Sequence, residues 1–268
     1  MGQIVTLNGR WLDLDYEPAL KVNTKRDYTP VEINGRMVHG VNINGYDYPP
    51  ANPSSVLYTP GLPGQGSTIW DMSKEGNDGT LVGATWVRLA SGLWVVYFDG
   101  LDDSVDYGAG IGDAATEFWA SIWFCLDTDF PSGSHMNLWN KRLDGDNALW
   151  VTLNNANGQV VLYQRDSGNW KVTLGSGVGY ASWTAGIWYN IFVSKSTTNG
   201  ARLRVNGDVA RTSADTTAVP NGGNIKAGEY GTGEDLTAKL ALLQIGLTGL
   251  SSSEEVGFYQ RERHLLGV

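Results

Sequence analysis

From Trp70 to Leu250 the chain places apolar side chains at every second position, in short runs separated by turn-forming residues. EFWASIWFCL sets Phe118, Ala120, Ile122 and Phe124 on one side and Trp119, Ser121, Trp123 and Cys125 on the other. This is the period of a β-strand, whose successive side chains leave opposite faces. LWVVYF, QVVLYQR, IWYNIFVS, ARLRVNGDVAR and KLALLQIG repeat the pattern, with DGDN, NNANG, DSGN, STTNG and NGG between them. Regular short strands with such turns predict an all-β chain, folded as a two-sheet antiparallel sandwich. The 35 glycines, 11 tryptophans and 12 tyrosines agree with many turns and strands. SSSEEVGFYQRERHLL closes the chain with one short helix, since Ser251 or Ser252 precedes Glu254 or Glu255 by the spacing of a capping box.

Residues 1–50 read as a separate hairpin-rich arm. IVTLNGRWLDLDY, VEINGRMV and VNINGYDY each set Asn-Gly between β-formers, and Asn-Gly supplies the positive φ angles of a two-residue hairpin turn. Val31, Ile33, Val41 and Ile43 would give the arm one apolar face for assembly or docking. Residues 51–68, rich in proline and glycine, are expected to be an extended connector. The sandwich is then assigned to residues 69–268. GLPGQGST, inside the connector, lacks the lysine of a phosphate-binding loop.

Charge narrows the partners. A net charge of −9 gives no basic footprint for a nucleic acid. No apolar run is long enough to cross a bilayer, so membrane insertion is not expected. Cys125 is the only cysteine, which leaves no intrachain disulfide and no cysteine zinc site. MGQIVTLNGRWLDLDYE has no basic start and no apolar core, so no secretory signal is read there.

The order of several segments resembles LamG-like jelly-roll domains of the concanavalin A-like lectin/glucanase superfamily, relatives of laminin-G and pentraxins. IWDMSKEGNDGTLVGATWV and LWVVYFDGLDDSVDYG are followed by EFWASIWFCLDT, LWNKRLDGDNALWVTLNN and IWYNIFVSKSTTNGARLRVNGDVA, then by NIKAGEYG and LSSSEEVGFYQRER. The resemblance covers about residues 69–263 and implies a jelly roll that often holds structural calcium. It implies glycan or protein binding and, in some members, catalysis. The chain departs from it at Ala241, where the family usually carries an aspartate.

Two constellations follow. Calcium takes six to eight oxygens, and the resemblance brings Asp71, Asn77 and Asp78 near Asp102 and Asp103. Asp146 and Asn147 resemble the Asp-Asn pair with which pentraxins hold calcium. Against this, Asp and Asn also make turns by bonding their own backbone, and Asp99-Gly100 reads as such a turn. Sugar binding calls for aromatic faces that pack on the C–H face of a ring. Trp139, Trp150, Tyr163, Trp170 and Trp183 flank turns and are the candidates, whereas Trp86, Trp94, Trp119, Trp123 and Trp188 read as core. Paired acids on one strand, as glycosidases need, occur at Asp13, Asp15 and Glu17 in the arm; a charged edge strand explains them. The expectation is a non-catalytic structural or adhesion protein of a virus particle, such as a bacteriophage decoration, head-fibre or tail component. It would be virion-borne or extracellular, would contact other virion proteins or its own copies as a homo-oligomer, and would bind a cell-surface glycan. The alternatives are a secreted carbohydrate-binding module and, behind it, a glycoside hydrolase or lyase.

Overall fold

The computed structural model describes residues 51–61, 66–131, 133–231 and 234–268, together with the backbone pairing of six short strands among the first 48. Those six form three separate two-stranded antiparallel hairpins: β1 (Ile4–Leu7) with β2 (Arg10–Asp13), β3 (Val31–Ile33) with β4 (Arg36–Val38), and β5 (Val41–Ile43) with β6 (Tyr46–Tyr48). Asp15 and Glu17 lie outside the described residues.

The remaining strands are β7 (Ser55–Thr59), β8 (Thr68–Ile69), β9 (Gly79–Val82), β10 (Thr85–Arg88), β11 (Trp94–Asp99), β12 (Ser104–Ala109), β13 (Glu117–Leu126), β14 (Met136–Arg142), β15 (Ala148–Leu153), β16 (Val160–Asp166), β17 (Asn169–Gly175), β18 (Trp188–Ser196), β19 (Gly200–Val205), β20 (Arg211–Ser213), β21 (Asn224–Ala227) and β22 (Thr237–Gly246). They make two antiparallel sheets. The first runs β10-β11-β22-β13-β18-β19-β20, with β7 also paired to β22; the second runs β17-β16-β15-β14-β21-β12-β9-β8. Their inner faces share one core that includes Phe98, Phe118, Ile122, Phe124, Trp139, Leu149, Val151, Leu162 and Ile245.

The expected extended connector is corrected by β7. Leu57, Tyr58 and Thr59 are buried, and the strand pairs with Leu243–Gly246 of β22. The prolines that flank it, Pro53 and Pro60, lie outside the strand, where no ladder hydrogen bond is lost. The sandwich therefore begins near Ser55 rather than at residue 69.

The second face of the first sheet is also covered. Helix α1 (Ser252–Glu262) starts at Ser251, whose hydroxyl accepts from the Glu254 amide while the Glu254 carboxylate accepts from the Ser251 amide. Phe258 packs on Trp119 and Phe192, and Tyr259 stacks on Trp123 at 5.5 Å. Glu255 is buried against Arg204 and Arg202. This cover is why both faces of β13 are buried.

Candidate functional site

The outer face of the second sheet carries rows of polar and aromatic side chains, among which Asn140, Ala148 and Trp150 are buried, and strand register dictates their order. Directly opposed residues of antiparallel strands share a face. One row therefore crosses five strands as Lys226, Asn140, Trp150, Tyr163 and Thr173. The next row holds Asn224, Arg142, Ala148, Arg165 and Trp170. The register slips by one residue between the pairs Gln164–Val172 and Arg165–Trp170. This bulge brings Trp170 to the same face as Thr173, which strict alternation would not do. Ser167 and Gly168 both have positive φ and close the β16–β17 hairpin as the DSGN signal requires.

The aromatic rings form one wall. Trp150 and Tyr163 stack at 5.1 Å, Trp170 tilts against both at 5.6 and 5.4 Å, and Tyr230 stacks on Trp150 at 4.9 Å from the loop before β22. Trp170 is 58% exposed. A depression of about 360 Å³ opens here, lined by Trp150, Tyr163, Trp170, Thr152, Asn154, Thr173, His135 and Glu234. Asn154 donates to the Tyr163 hydroxyl at 2.8 Å and so fixes its orientation. Arg165 lies over Trp170 and is anchored by Asp146 and by the Gly145 and Gly168 carbonyls. On the far side of Tyr230 a second depression of about 270 Å³ is polar, with Asn140, Arg142, Asp144, Asn224, Lys226 and Glu229. The Arg142 guanidinium lies over the Tyr230 ring and donates to its carbonyl.

Burial pushes the Glu234 carboxyl above the usual glutamate range; His135 and Arg142 oppose the rise and Asp235 adds to it. Burial likewise raises the Tyr230 phenol, against the pull of Arg142.

Trp150, Tyr163 and Trp170 thus come together, whereas the other two sugar candidates are core residues. Trp139 is fully buried because β14 carries an extra residue, Leu138, between the pairs Asn137–Thr152 and Trp139–Val151. That bulge turns Trp139 inward, against Phe118. Trp183 is buried, bridges Phe130 and donates to the Gly158 carbonyl at 2.7 Å. His135, Thr152, Asn154, Thr173, Tyr230 and Glu234 were not expected. Thr152 follows from alternation with Trp150, but nothing local marks Tyr230 or Glu234, which arrive from a loop remote in sequence.

The seven calcium candidates do not converge. Asp71 is buried and accepts four bonds, from the Tyr58, Ser73 and Asn77 amides and the Ser73 hydroxyl. Its lone pairs are spent organising the loop after β8. Asp78 accepts from the Asp71 amide, and Asn77 donates to the Val56 carbonyl. Asp146 holds Arg165, and the Asn147 side-chain Oδ1 accepts from the Ser167 amide. Among the described residues, the grouping of three carboxylates within 4.8 Å of one another is Asp99, Asp102 and Asp103. It surrounds the expected turn: the Asp99 amide donates to Asp103, and Gly100 has φ of 84° where a Cβ would strike Thr237.

No family model and no curated protein matches the chain in sequence. Among solved structures, the receptor-binding domain of botulinum neurotoxin D aligns with TM-score 0.58 and 14% identity over 78% of this chain and 53% of its own. Trypanosoma rangeli sialidase in complex with the inhibitor DANA aligns with TM-score 0.56 and 15% identity over 80% of this chain and 33% of its own. Domain 4 of AbnA, a GH43 extracellular arabinanase from Geobacillus stearothermophilus, in complex with arabinotriose, aligns with TM-score 0.55 and 13% identity, over 77% of this chain and 98% of its own. The chain thus spans about half of the toxin domain and a third of the sialidase, and shares their β-sandwich architecture.

Proposed function

We propose that this chain is a non-catalytic glycan-binding protein built on a LamG-like jelly roll, and that the sugar packs on the exposed Trp170 and the half-buried Tyr163 and Tyr230, which the buried Trp150 holds together. The observation that carries this reading is the stacked aromatic cluster on the outer face of the second sheet, with Trp170 left 58% exposed. A half-exposed indole beside polar groups is what the C–H face of a sugar ring requires. The β-sandwich shared with an arabinanase domain bound to arabinotriose supports the reading at the level of fold.

A binding role fits the acids better than hydrolysis does. Among the described residues the aromatic depression is lined by one carboxylate, Glu234, whereas the usual glycosidase uses two. In the polar depression Asp144 caps the turn through the Asp146 and Asn147 amides, and Glu229 faces Lys226. We further propose that the protein works on a bacteriophage particle, as a decoration, head-fibre or tail component. Three separate two-stranded hairpins ahead of the sandwich support an attachment role, because an isolated hairpin needs a surface to pack on. Binding of the full chain to a broad glycan array tests the central reading, with Trp170→Ala as the control that should lose the signal while keeping its melting temperature.

A further inference from the structure

Within the aromatic depression the polar atoms divide into those the protein uses and those it leaves for a ligand. The Thr152 hydroxyl donates to the Met136 carbonyl, and Asn154 spends its side chain on Tyr163 and the Ala156 amide. The His135 Nδ1 accepts from the Asn155 amide at 3.1 Å, which leaves Nε2 as the ring's N–H donor. Glu234 is different. It lines the depression and is half-buried, yet among the described residues no donor hydrogen-bonds its carboxylate. A partly desolvated carboxylate seeks donors, and two adjacent hydroxyls of a sugar ring can serve both of its oxygens at once.

Arg142 and His135 offset this acceptor only in part, since burial still leaves its carboxyl raised. Arg165 is bound to Asp146, Gly145 and Gly168 and lies over the Trp170 ring. Arg142 lies beyond Tyr230 and is bonded to its carbonyl. A ring bearing its own carboxylate or sulfate would meet Glu234 as a like charge, in a chain of net charge −9.

We infer that the aromatic depression selects a neutral sugar ring with two adjacent free hydroxyls, that Glu234 accepts from both, and that acidic sugars are rejected. This rests on the glycan-binding reading and deepens it by naming the sugar class. Burial raises the Glu234 carboxyl, with His135 and Arg142 opposing and Asp235 assisting. Binding needs the ionised acceptor, so affinity is lost as pH falls through a range above that of an exposed glutamate.

The test is calorimetric titration of the full chain with arabinotriose, xylotetraose, cellotetraose and maltotetraose as neutral probes, and with 3′-sialyllactose and oligogalacturonate as acidic ones. At least one neutral probe should bind and the acidic ones should not. Glu234→Gln should weaken the bound neutral probe about ten-fold or more, flatten the acid loss of affinity, and leave the melting temperature unchanged. Full binding by Glu234→Gln with loss in Trp170→Ala would overturn the role of Glu234 and leave the glycan reading standing. Preferential binding of an acidic probe would overturn the sugar class alone. No binding by any probe would overturn both.

Discussion

Trp139 and Trp170 trade places relative to a strict alternating pattern, and in each case one extra residue in a strand does it. Leu138 turns Trp139 into the core, and the β16–β17 bulge turns Trp170 out. The two should therefore respond oppositely to truncation. Trp139→Ala should cost about 3–5 kcal/mol of unfolding free energy, whereas Trp170→Ala should leave stability nearly unchanged and remove glycan binding. Urea melts and a binding titration on both variants check this. Turn-flanking aromatics were legible in the sequence, but a bulge leaves no local mark, so the buried and exposed members could not be separated. Glu262 is a second case that burial decides. Its carboxyl is fully buried, bonds the Trp123 indole N–H at 2.8 Å and is pushed up to about 7. A folded value raised above the ordinary 4.5 means its stabilising contribution is complete below that value and is lost as pH rises through about 7. The loss should reach about 3 kcal/mol at alkaline pH. Glu262→Gln keeps an acceptor for Trp123, so its stability should decline less than that of the wild type between about pH 5 and pH 8.5.

At the scale of elements, β7 and α1 show what pattern reading recovers. The α1 start was legible because a capping box is a local device, and Ser251→Ala should cost about 1 kcal/mol in a thermal or urea melt. The strand β7 was hidden by prolines on both sides. SVLYT is short, and long-range contacts make it part of the sandwich: its pairing with β22, the Tyr58 amide donating to Asp71, and Asn77 donating to the Val56 carbonyl. The consequence is a pair of truncations with different outcomes. A chain beginning near residue 51 should fold cooperatively. One beginning near Ser67 loses the buried Leu57 and Tyr58, worth about 2 kcal/mol each or more, and exposes the edge of β22. That is a large part of a domain's total stability, so the shorter chain should melt far lower or fail to fold. Equal melting of the two would show that β7 is dispensable.

For the whole molecule, the use of faces follows from what covers them. The inner faces of the two sheets bury each other, and the outer face of the first is closed by α1 through Phe258, Tyr259 and the buried Glu255. The outer face of the second sheet keeps its row of Lys226, Asn140, Trp150, Tyr163 and Thr173. The two-sheet architecture was readable from period and turns, because each strand announces itself locally. The site was readable only in part, since Tyr230 and Glu234 join it from the loop before β22, remote in sequence from β15 and β16. The measurement that bears most directly on this account is glycan-array binding of the wild type alongside Trp170→Ala. The account predicts a defined set of bound glycans whose signal falls about ten-fold or more in the variant, at unchanged melting temperature. An empty array for the folded wild type, or equal binding by the variant, would contradict it.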